Sequence, residues 1–479
     1  MSKTWDDELA QLKQALQLVN DAAVPKNPNC GEAISINPSL QLLPLSWSNL
    51  CTLLKDPDSP TEPVPGQEFV ILYRFPDDGE IFYFPASKTN LLALKVLSEN
   101  LDRKQVAKEA NVAIGQVDAA IEEACKQGIL ICPPSAIQRP KTHLPTAGGW
   151  QTHLKSNYFT LQWHVTQACD LHCKHCYDRS EISPLTLEQG ITILDQFRDF
   201  VLDKNVRGQV TFTGGNPLLY KHFTELYREA AKRNFTIAIL GNPTTKSVIQ
   251  SLQEIQPLSF YQVSLEGLEK HNDSIRGAGH FQRIMEFLEI LDELSIYSMV
   301  MLTLTRENMS EVLPLGELLR GKTDLFTFNR LSQTGEGAAL ATAAKDEYKD
   351  FLQRYLEAAQ TNPTMGLKDN LINIVKTEQG EKVFGGCTGY GCGAAFNFCS
   401  ILPNGDMHAC RKFQSPIGNI LESSLLELYN SDAAETYRSG PEECRGCKIR
   451  PVCGGCQAVI QSSGLDITLD KDPYCFLEE

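Results

Sequence analysis

Thr166-Gln-Ala-Cys169-Asp-Leu-His-Cys173-Lys-His-Cys176-Tyr177 is the run on which the reading of this chain turns. Three cysteines spaced by three and then two residues can place three thiolates on a cubane [4Fe–4S] cluster. A cubane has four irons, so one is left without a protein ligand. An open iron is a chemical site, because a small molecule can chelate it. The stretch just before, Tyr158 to Val165, is apolar and aromatic and reads as a strand. The cysteines then sit on a loop at a strand's C-terminal end, where ligands bind in α/β barrels. A structural zinc knuckle, or buried thiols that merely lie close, is the competing reading.

Downstream of this loop, strand-like and helix-like patterns alternate as far as about Asn329. The strands read as Phe159–Val165, Gln209–Thr213, Thr236–Leu240, Tyr261–Leu265, Ser298–Leu304 and Leu325–Phe328. Amphipathic helices such as Thr186–Leu202, with Thr186 and Gln189 as a capping box, and His280–Leu294 lie between them. Six such units make a parallel sheet with right-handed crossovers, too few strands to close an eight-stranded barrel. The expected fold is α/β: a partial (β/α)6 TIM-like barrel.

Polar or glycine-rich runs recur where these strands end. Thr213-Gly214-Gly215-Asn216-Pro217 follows the second strand, and two glycines there allow backbone carbonyls to approach a ligand. Gly241-Asn242-Pro243-Thr244 follows the third, Ser264-Leu-Glu266-Gly the fourth, and His271-Asn-Asp-Ser-Ile-Arg276-Gly277 comes next. With the cysteine triad, this series resembles the radical SAM superfamily, in which His175 fills the slot of an aromatic ring before the third cysteine. The resemblance implies that Gly214, Gly215, Asn216 and Pro217 hold the amino group of S-adenosylmethionine (SAM), with the Asn216 amide oxygen replacing a carboxylate. It implies that Asn242 stands in a degenerate Thr-Asn-Gly and that Ser264 and Glu266 serve the ribose hydroxyls and the surroundings of the SAM carboxylate. Arg276 would pair with that carboxylate.

Nine cysteines fall between Cys387 and Cys475. Cys444-Arg-Gly-Cys447-Lys-Ile-Arg-Pro-Val-Cys453-Gly-Gly-Cys456, together with Asn404-Gly405 ahead of Cys410, resembles the SPASM extension of radical SAM peptide maturases. By that match Cys387, Cys392, Cys410 and Cys456 would hold one auxiliary cluster. Cys444, Cys447, Cys453 and Cys475 would hold the other, giving three [4Fe–4S] clusters in all. Two Cys-x2-Cys pairs also make a zinc-ribbon pattern. Cys399, in an apolar strand-like run, reads as buried, with the alternative that it replaces Cys387. Cys30, Cys51, Cys125 and Cys132 lack ligand spacing and read as small core residues.

Ahead of the barrel, Glu68–Arg74 and Glu80–Phe84 flank the turn Pro76-Asp77-Asp78-Gly79 as a hairpin. Three helices follow: Asn90–Glu99, one capped by Asp102 with Gln105, and Ile114–Gln127 stopped by Gly128. This is a winged-helix-like arrangement. DNA binding suits it poorly, since Gln116, Asp118, Glu122 and Glu123 make the third helix acidic. It resembles the small precursor-recognition domain fused to many peptide-modifying radical SAM enzymes, which implies capture of a leader peptide at a sheet edge. A purely structural wing is the alternative. The expected order is an extension over 1–65, the recognition domain over 66–135, a linker over 136–155 (proline-rich from Pro133 to Gly149), the barrel over 156–340 and the cysteine-rich domain over 341–479.

Sixteen cysteines with no export signal argue for a reducing cytosol in which thiols ligate metal. A net charge of −15 argues against nucleic acid, and the absence of an 18-residue apolar stretch against a membrane. The whole resemblance implies an enzyme in which a reduced cluster cleaves SAM to a 5′-deoxyadenosyl radical that modifies a ribosomally made precursor peptide. A thioether or related cross-link is the first expectation, and a flavodoxin or ferredoxin would supply the electron. The chain looks somewhat like the maturases of selenobiotic-type peptides. Competing readings are a sulfatase maturase-like side-chain oxidase and a non-catalytic iron–sulfur electron carrier.

Overall fold

The turn at Pro76–Gly79 reverses the chain because Gly79 adopts φ 73°, where a Cβ is disfavoured, and Asp78 Oδ1 accepts from Glu80 N at 2.9 Å. The computed structural model describes residues 4–29, 32–140 and 153–477. Cys30 and residues 141–152 of the expected linker lie outside them. The chain divides into two units, one built from residues up to Ala136 and the other from Ile137 onward, except that Lys232–Asn234 group with the first.

The first unit runs α1 (Trp5–Asp21), β1 (Ser35–Ile36), β2 (Gln41–Ser48), α2 (Leu50–Lys55), β3 (Val64–Arg74), β4 (Ile81–Pro85), α3 (Lys88–Ser98), α4 (Arg103–Glu109), α5 (Ile114–Lys126) and β5 (Leu130–Ile131). The hairpin and the three helices stand where the pattern places them. Asp102 caps α4 through Gln105 N at 2.8 Å. The sheet has a third strand: β2, from the stretch assigned to the N-terminal extension, pairs antiparallel with β3, giving the order β2-β3-β4. One face of β3 places Ile71 and Tyr73 against Val117 and Ile121 of α5, while Val70 and Leu72 face Leu12 and Val19 of α1. Both faces are covered, so β3 reads as a continuous apolar run. Cys125 and Cys132 are joined in a disulfide, with Cα atoms 5.8 Å apart, and are not the independent thiols expected. Gly128, at φ 75°, ends α5 and turns the chain back so that residues seven apart meet.

The second unit contains β6 (Tyr158–Thr166), α6 (Leu187–Asp203), β7 (Arg207–Gly214), α7 (Phe223–Lys232), β8 (Thr236–Leu240), α8 (Lys246–Ile255), β9 (Phe260–Ser264), α9 (Glu269–Arg276), α10 (His280–Glu293), β10 (Ser298–Leu304), α11 (Val312–Leu318) and β11 (Leu325–Arg330). Then come α12 (Lys345–Thr361), α13 (Ile372–Glu378), β12 (Phe398–Ile401), β13 (Asp406–His408), β14 (Pro416–Asn419), α14 (Leu425–Tyr429), α15 (Asp432–Ser439) and α16 (Gln457–Ser462). Strands β6 to β11 are parallel and in sequence order, the partial TIM-like barrel expected. Thr186 and Gln189 close the capping box of α6 reciprocally, at 3.2 and 2.9 Å.

Alternation along β6 explains both sides of the sheet. Phe159, Leu161 and Trp163 are fully buried in the large apolar core, and the Phe159 ring meets Phe200 of α6 at 4.7 Å. Gln162 and His164 point the other way. One feature escaped the sequence pattern: β12 pairs in parallel with β6, Phe398 opposite Thr160 and Ile401 opposite Trp163, and carries β13 and β14 with it. The cysteine-rich segment thus shares the barrel's sheet.

Candidate active site

Thr166 is the last residue of β6, and the cysteine loop leaves from it. What holds that loop is the pair of glycines ending β7. Gly215 N donates to Thr166 O at 2.9 Å and Asn216 N to Ala168 O at 2.8 Å. A Cβ on Gly214 would lie 2.1 Å from Thr166 O, and one on Gly215 2.4 Å from Ala168 O. The close approach these glycines permit is therefore to the cysteine loop's own backbone, in addition to the cavity they line. Asp170, a residue the sequence reading passed over, fastens the loop from the other side. Its Oδ1 accepts from Asn216 Nδ2 at 3.0 Å and from Asn242 Nδ2 at 2.6 Å.

Two of the expected SAM contacts, Asn216 and Pro217, are not among the residues lining the cavity beside the cysteine loop. Asn216 is buried and its amide oxygen accepts from Leu218 N at 3.3 Å, so it also braces the loop. Pro217 is buried and begins a short 3-10 turn. Asn242, Ser264, Gly214, Gly215 and Arg276 do line a cavity of about 630 Å³, together with Cys169, Cys173, Cys176 and His175. That volume is of the size that encloses a small-molecule ligand. Residues from later strand ends complete the wall: Gln262, Met301, Thr303, Asn329 and Arg330. Their position at the C-terminal ends of β9, β10 and β11 was a usable signal, since such ends carry barrel sites.

Glu266 does not face the cavity. It is 2% exposed and takes Arg276 Nε at 3.0 Å, Arg276 Nη2 at 2.6 Å and Thr303 N at 2.8 Å. His175 Nε2 stands 3.2 Å from the same carboxylate. Burial alone would raise this carboxyl, but His175, Arg276 and the hydrogen bonds outweigh it and hold it below the ordinary range. Arg276 is thereby fixed, and its Nη1 lies 3.7 Å from Cys173 Sγ. Burial, and then the neighbouring thiols and Glu266, raise the Cys173 thiol against the pull of Arg276. An Arg–Glu pair locked in this way points one positive edge at the cysteine triad.

The C-terminal cysteines gather into two sets. Cys392 feels the charge of Cys456, Cys387 and Cys410, and Cys410 that of Cys456 and Cys387. Separately, Cys444 feels Cys447 and Cys475, Cys453 feels Cys447 and Cys444, and Cys475 feels Cys447. Burial first, and mutual repulsion after it, push Cys392 and Cys444 up to about 12 and Cys410 up to about 11. Cys399 belongs to neither set: it is 0% exposed on β12, inside the main core. Buried thiols that repel one another need a cation to exist as thiolates, which is the condition a metal cluster meets. A second observation fits the same group. Arg139 Nε is buried without a hydrogen-bond partner, and the guanidinium gives its other donors to the carbonyls of Cys392, Tyr390 and Arg438. It has no carboxylate partner among the described residues, so an anionic cluster at Cys392 would supply the missing counter-charge. Among the described residues no group of three or more His, Cys, Asp or Glu side chains is arranged to hold a single metal ion.

Asp472 links these sets to the barrel. Its carboxylate accepts from Cys456 N at 2.9 Å and from Arg330 Nη2 at 2.7 Å, and Arg330 also meets Asp369 at 2.8 Å. All three are nearly inaccessible.

Residues 163–319 match the family model of the radical SAM superfamily, and residues 392–456 that of the SPASM iron–sulfur cluster-binding domain. Over 347 residues the chain is 25% identical to the AdoMet-dependent heme synthase of Methanosarcina barkeri, covering 66% of this chain and 95% of that one. It is likewise 25% identical over 339 residues to the subtilosin biosynthesis protein AlbA of Bacillus subtilis, covering 66% and 71%. Among solved structures, Streptococcus suis SuiB superposes with a TM-score of 0.54 at 16% identity, over 85% of this chain and 96% of its own; SuiB is also solved bound to its precursor peptide SuiA. No helix among the described residues is long and apolar enough to cross a membrane.

Proposed function

We propose that this chain is a radical SAM/SPASM enzyme that modifies a ribosomally made precursor peptide whose leader pairs with the edge of β4. The observation that carries this reading is the asymmetry of the three-stranded sheet. Phe75 N donates to Glu80 O at 2.7 Å and Ala86 N to Phe69 O at 2.6 Å, so by alternation Ile81 and Tyr83 turn their N–H and C=O groups away from β3. Among the described residues no strand pairs on that side. The β2 edge is blunted: Pro44 has no N–H, and Glu8 of α1 accepts from Ser46 N at 2.8 Å and Trp47 N at 3.1 Å. An extended leader adding to β4 would use the open edge by backbone hydrogen bonding.

In the second unit, Cys169, Cys173 and Cys176 would hold a [4Fe–4S] cluster and leave one iron for SAM. Gly214, Gly215, Asn242, Ser264 and Arg276 would surround the SAM, with His175 and Glu266 fixing the arginine. Cys387, Cys392, Cys410 and Cys456 would hold one auxiliary cluster and Cys444, Cys447, Cys453 and Cys475 the second. When bound, the reduced cluster and SAM supply a carbon-centred radical able to abstract a hydrogen atom from the peptide. The chain's own contribution is to clamp the cysteine loop through Gly215 and Asp170, to aim Arg276 at Cys173, and to enclose the reacting groups in the cavity. A one-electron reductant such as flavodoxin or ferredoxin belongs to this reading, as does a cytosolic setting. We place thioether formation first among the linkages, ahead of carbon–carbon cross-linking, dehydrogenation and epimerisation.

The test uses the full chain and a precursor peptide encoded by a short open reading frame sought beside its gene. Tyr83→Pro removes one outward N–H from β4 and is expected to weaken peptide binding about tenfold or more. Leu42→Pro, on the closed edge, leaves binding unchanged. SAM cleavage without peptide stays intact in both. Equal binding by Tyr83→Pro and wild type, or equal weakening by the two variants, refutes leader capture at β4. Mass spectrometry reads the linkage: a loss of two hydrogens with a blocked cysteine marks a thioether, and an unchanged mass with deuterium from solvent marks epimerisation. A protein that holds its clusters but cleaves no SAM when reduced is the electron carrier instead.

A further inference from the structure

Directly after Cys410 the chain turns two cations, Arg411 and Lys412, into the cavity that also holds the Cys169, Cys173 and Cys176 loop. The other arginines of this wall are engaged by acids: Arg276 by Glu266 at 2.6 Å, Arg330 by Asp369 and Asp472 at 2.8 and 2.7 Å, and Arg179 by Glu336 at 3.8 Å. Arg411 and Lys412 have no carboxylate partner among the described residues. Arg411 Nη1 donates to Thr213 Oγ1 at 3.2 Å, and Lys412 Nζ to the Arg330 carbonyl at 3.0 Å. Two neutral oxygens thus orient two half-buried positive charges toward the same space.

Among the described residues no carboxylate pairs with them, and the nearest groups able to carry negative charge are Asp178, Cys410 and the triad cysteines. Asp178 also lines the cavity, but Gln167 Nε2 and Ser180 N occupy its oxygens, and Glu181 is exposed. His164 is 1% exposed, and neither of its ring nitrogens has a hydrogen-bond partner. Burial, with Arg411 and His408 added, pushes it down to about 3, so it stays neutral. A guanidinium and an ammonium withdrawn from water without an anion are costly unless a ligand supplies one. We propose that Arg411 and Lys412 form an anion-binding subsite of this cavity that holds a carboxylate of the substrate, namely an acidic side chain of the peptide. The substrate half of this statement rests on the peptide-modifying reading. The subsite chooses which residue is presented to the radical centre, because the two cations and the cysteine loop wall one cavity.

The test is calorimetric binding to the anaerobically reconstituted full chain in the presence of SAM. The probes are Ac-Ala-Ala-Glu-Ala-Ala-NH2, its Gln isostere, and glutarate monoamide. The Glu peptide is expected to bind about tenfold more tightly than the Gln peptide. Arg411→Gln and Lys412→Gln should erase that preference, while Arg411→Lys should keep most of it. Iron content, the auxiliary-cluster resonance signals and SAM cleavage without peptide should be unchanged in every variant. Glutarate monoamide that binds to wild type and not to the Gln variants, with both peptides equally weak, supports the anionic subsite while refuting a peptide as its source. Equal binding of all probes, or a preference that survives in both Gln variants, overturns the subsite. Loss of iron or of SAM cleavage in Arg411→Gln and Lys412→Gln also overturns it, assigning the two cations to a cluster or to SAM instead.

Discussion

Gly215 shows how much one missing atom decides. Its motif partner in the reading was a ligand, yet the nearest atoms to a would-be Cβ are the carbonyl oxygens of Ala168 and Gln167, at 2.4 and 2.5 Å. Gly215→Ala therefore forces β7 and the cysteine loop apart. We expect the variant to retain the eight C-terminal cysteine contacts but to lose the iron held at the triad. It should also cost about 2 kcal/mol or more of stability, since the displaced groups are backbone and cannot swing away. Iron analysis and thermal unfolding check it, and wild-type iron with an unchanged melting temperature would contradict it. Asn216 and Glu266 teach the same lesson from the other direction. Both were legible as site residues by motif, but each spends its polar atoms on neighbouring protein groups. No sequence pattern distinguishes a side chain that touches a ligand from one that steadies its neighbour.

Strand periodicity located every barrel strand to within a few residues, because each is buried on at least one face and bounded by polar turns. It marked the run around Cys399 as strand-like but could not show that this strand, β12, pairs with β6, a partner far away in the chain. That pairing bears on the choice between Cys387 and Cys399 and favours Cys387 as the ligand. Cys399 sits on β12 opposite Leu161 and is sealed in the core, whereas Cys387 lies in the field of Cys392 and Cys410. Cys399→Ala is expected to keep the full iron content and to lose about 1–2 kcal/mol through the small cavity it leaves. Cys387→Ala should release iron from one auxiliary site. Anaerobic reconstitution with iron analysis separates them, and iron loss in Cys399→Ala would reverse the assignment.

For the molecule as a whole, the proposed ligand sets would carry about twelve irons, three clusters of four. Replacing Cys169, Cys173 and Cys176 together by alanine should remove about four of them and all SAM cleavage, leaving the two C-terminal sets loaded. Stoichiometric zinc in the C-terminal segment would refute the auxiliary clusters. The sequence by itself determined the chemistry: thiolate spacing is local, so the triad, the Cys-x2-Cys pairs and the glycine runs were visible as soon as the chain was read. It also determined the parallel sheet, because burial imposes a period on each strand. Only the tertiary structure decided that Asp170 and Asp472 anchor the cysteine loops, that β2 closes one edge of the small sheet, and that Arg411 and Lys412 reach the barrel's cavity. The reason is physical. Each of these depends on groups distant in sequence being brought within a few ångströms of one another, and long-range contact of that kind leaves no period, cap or turn residue in the chain to read.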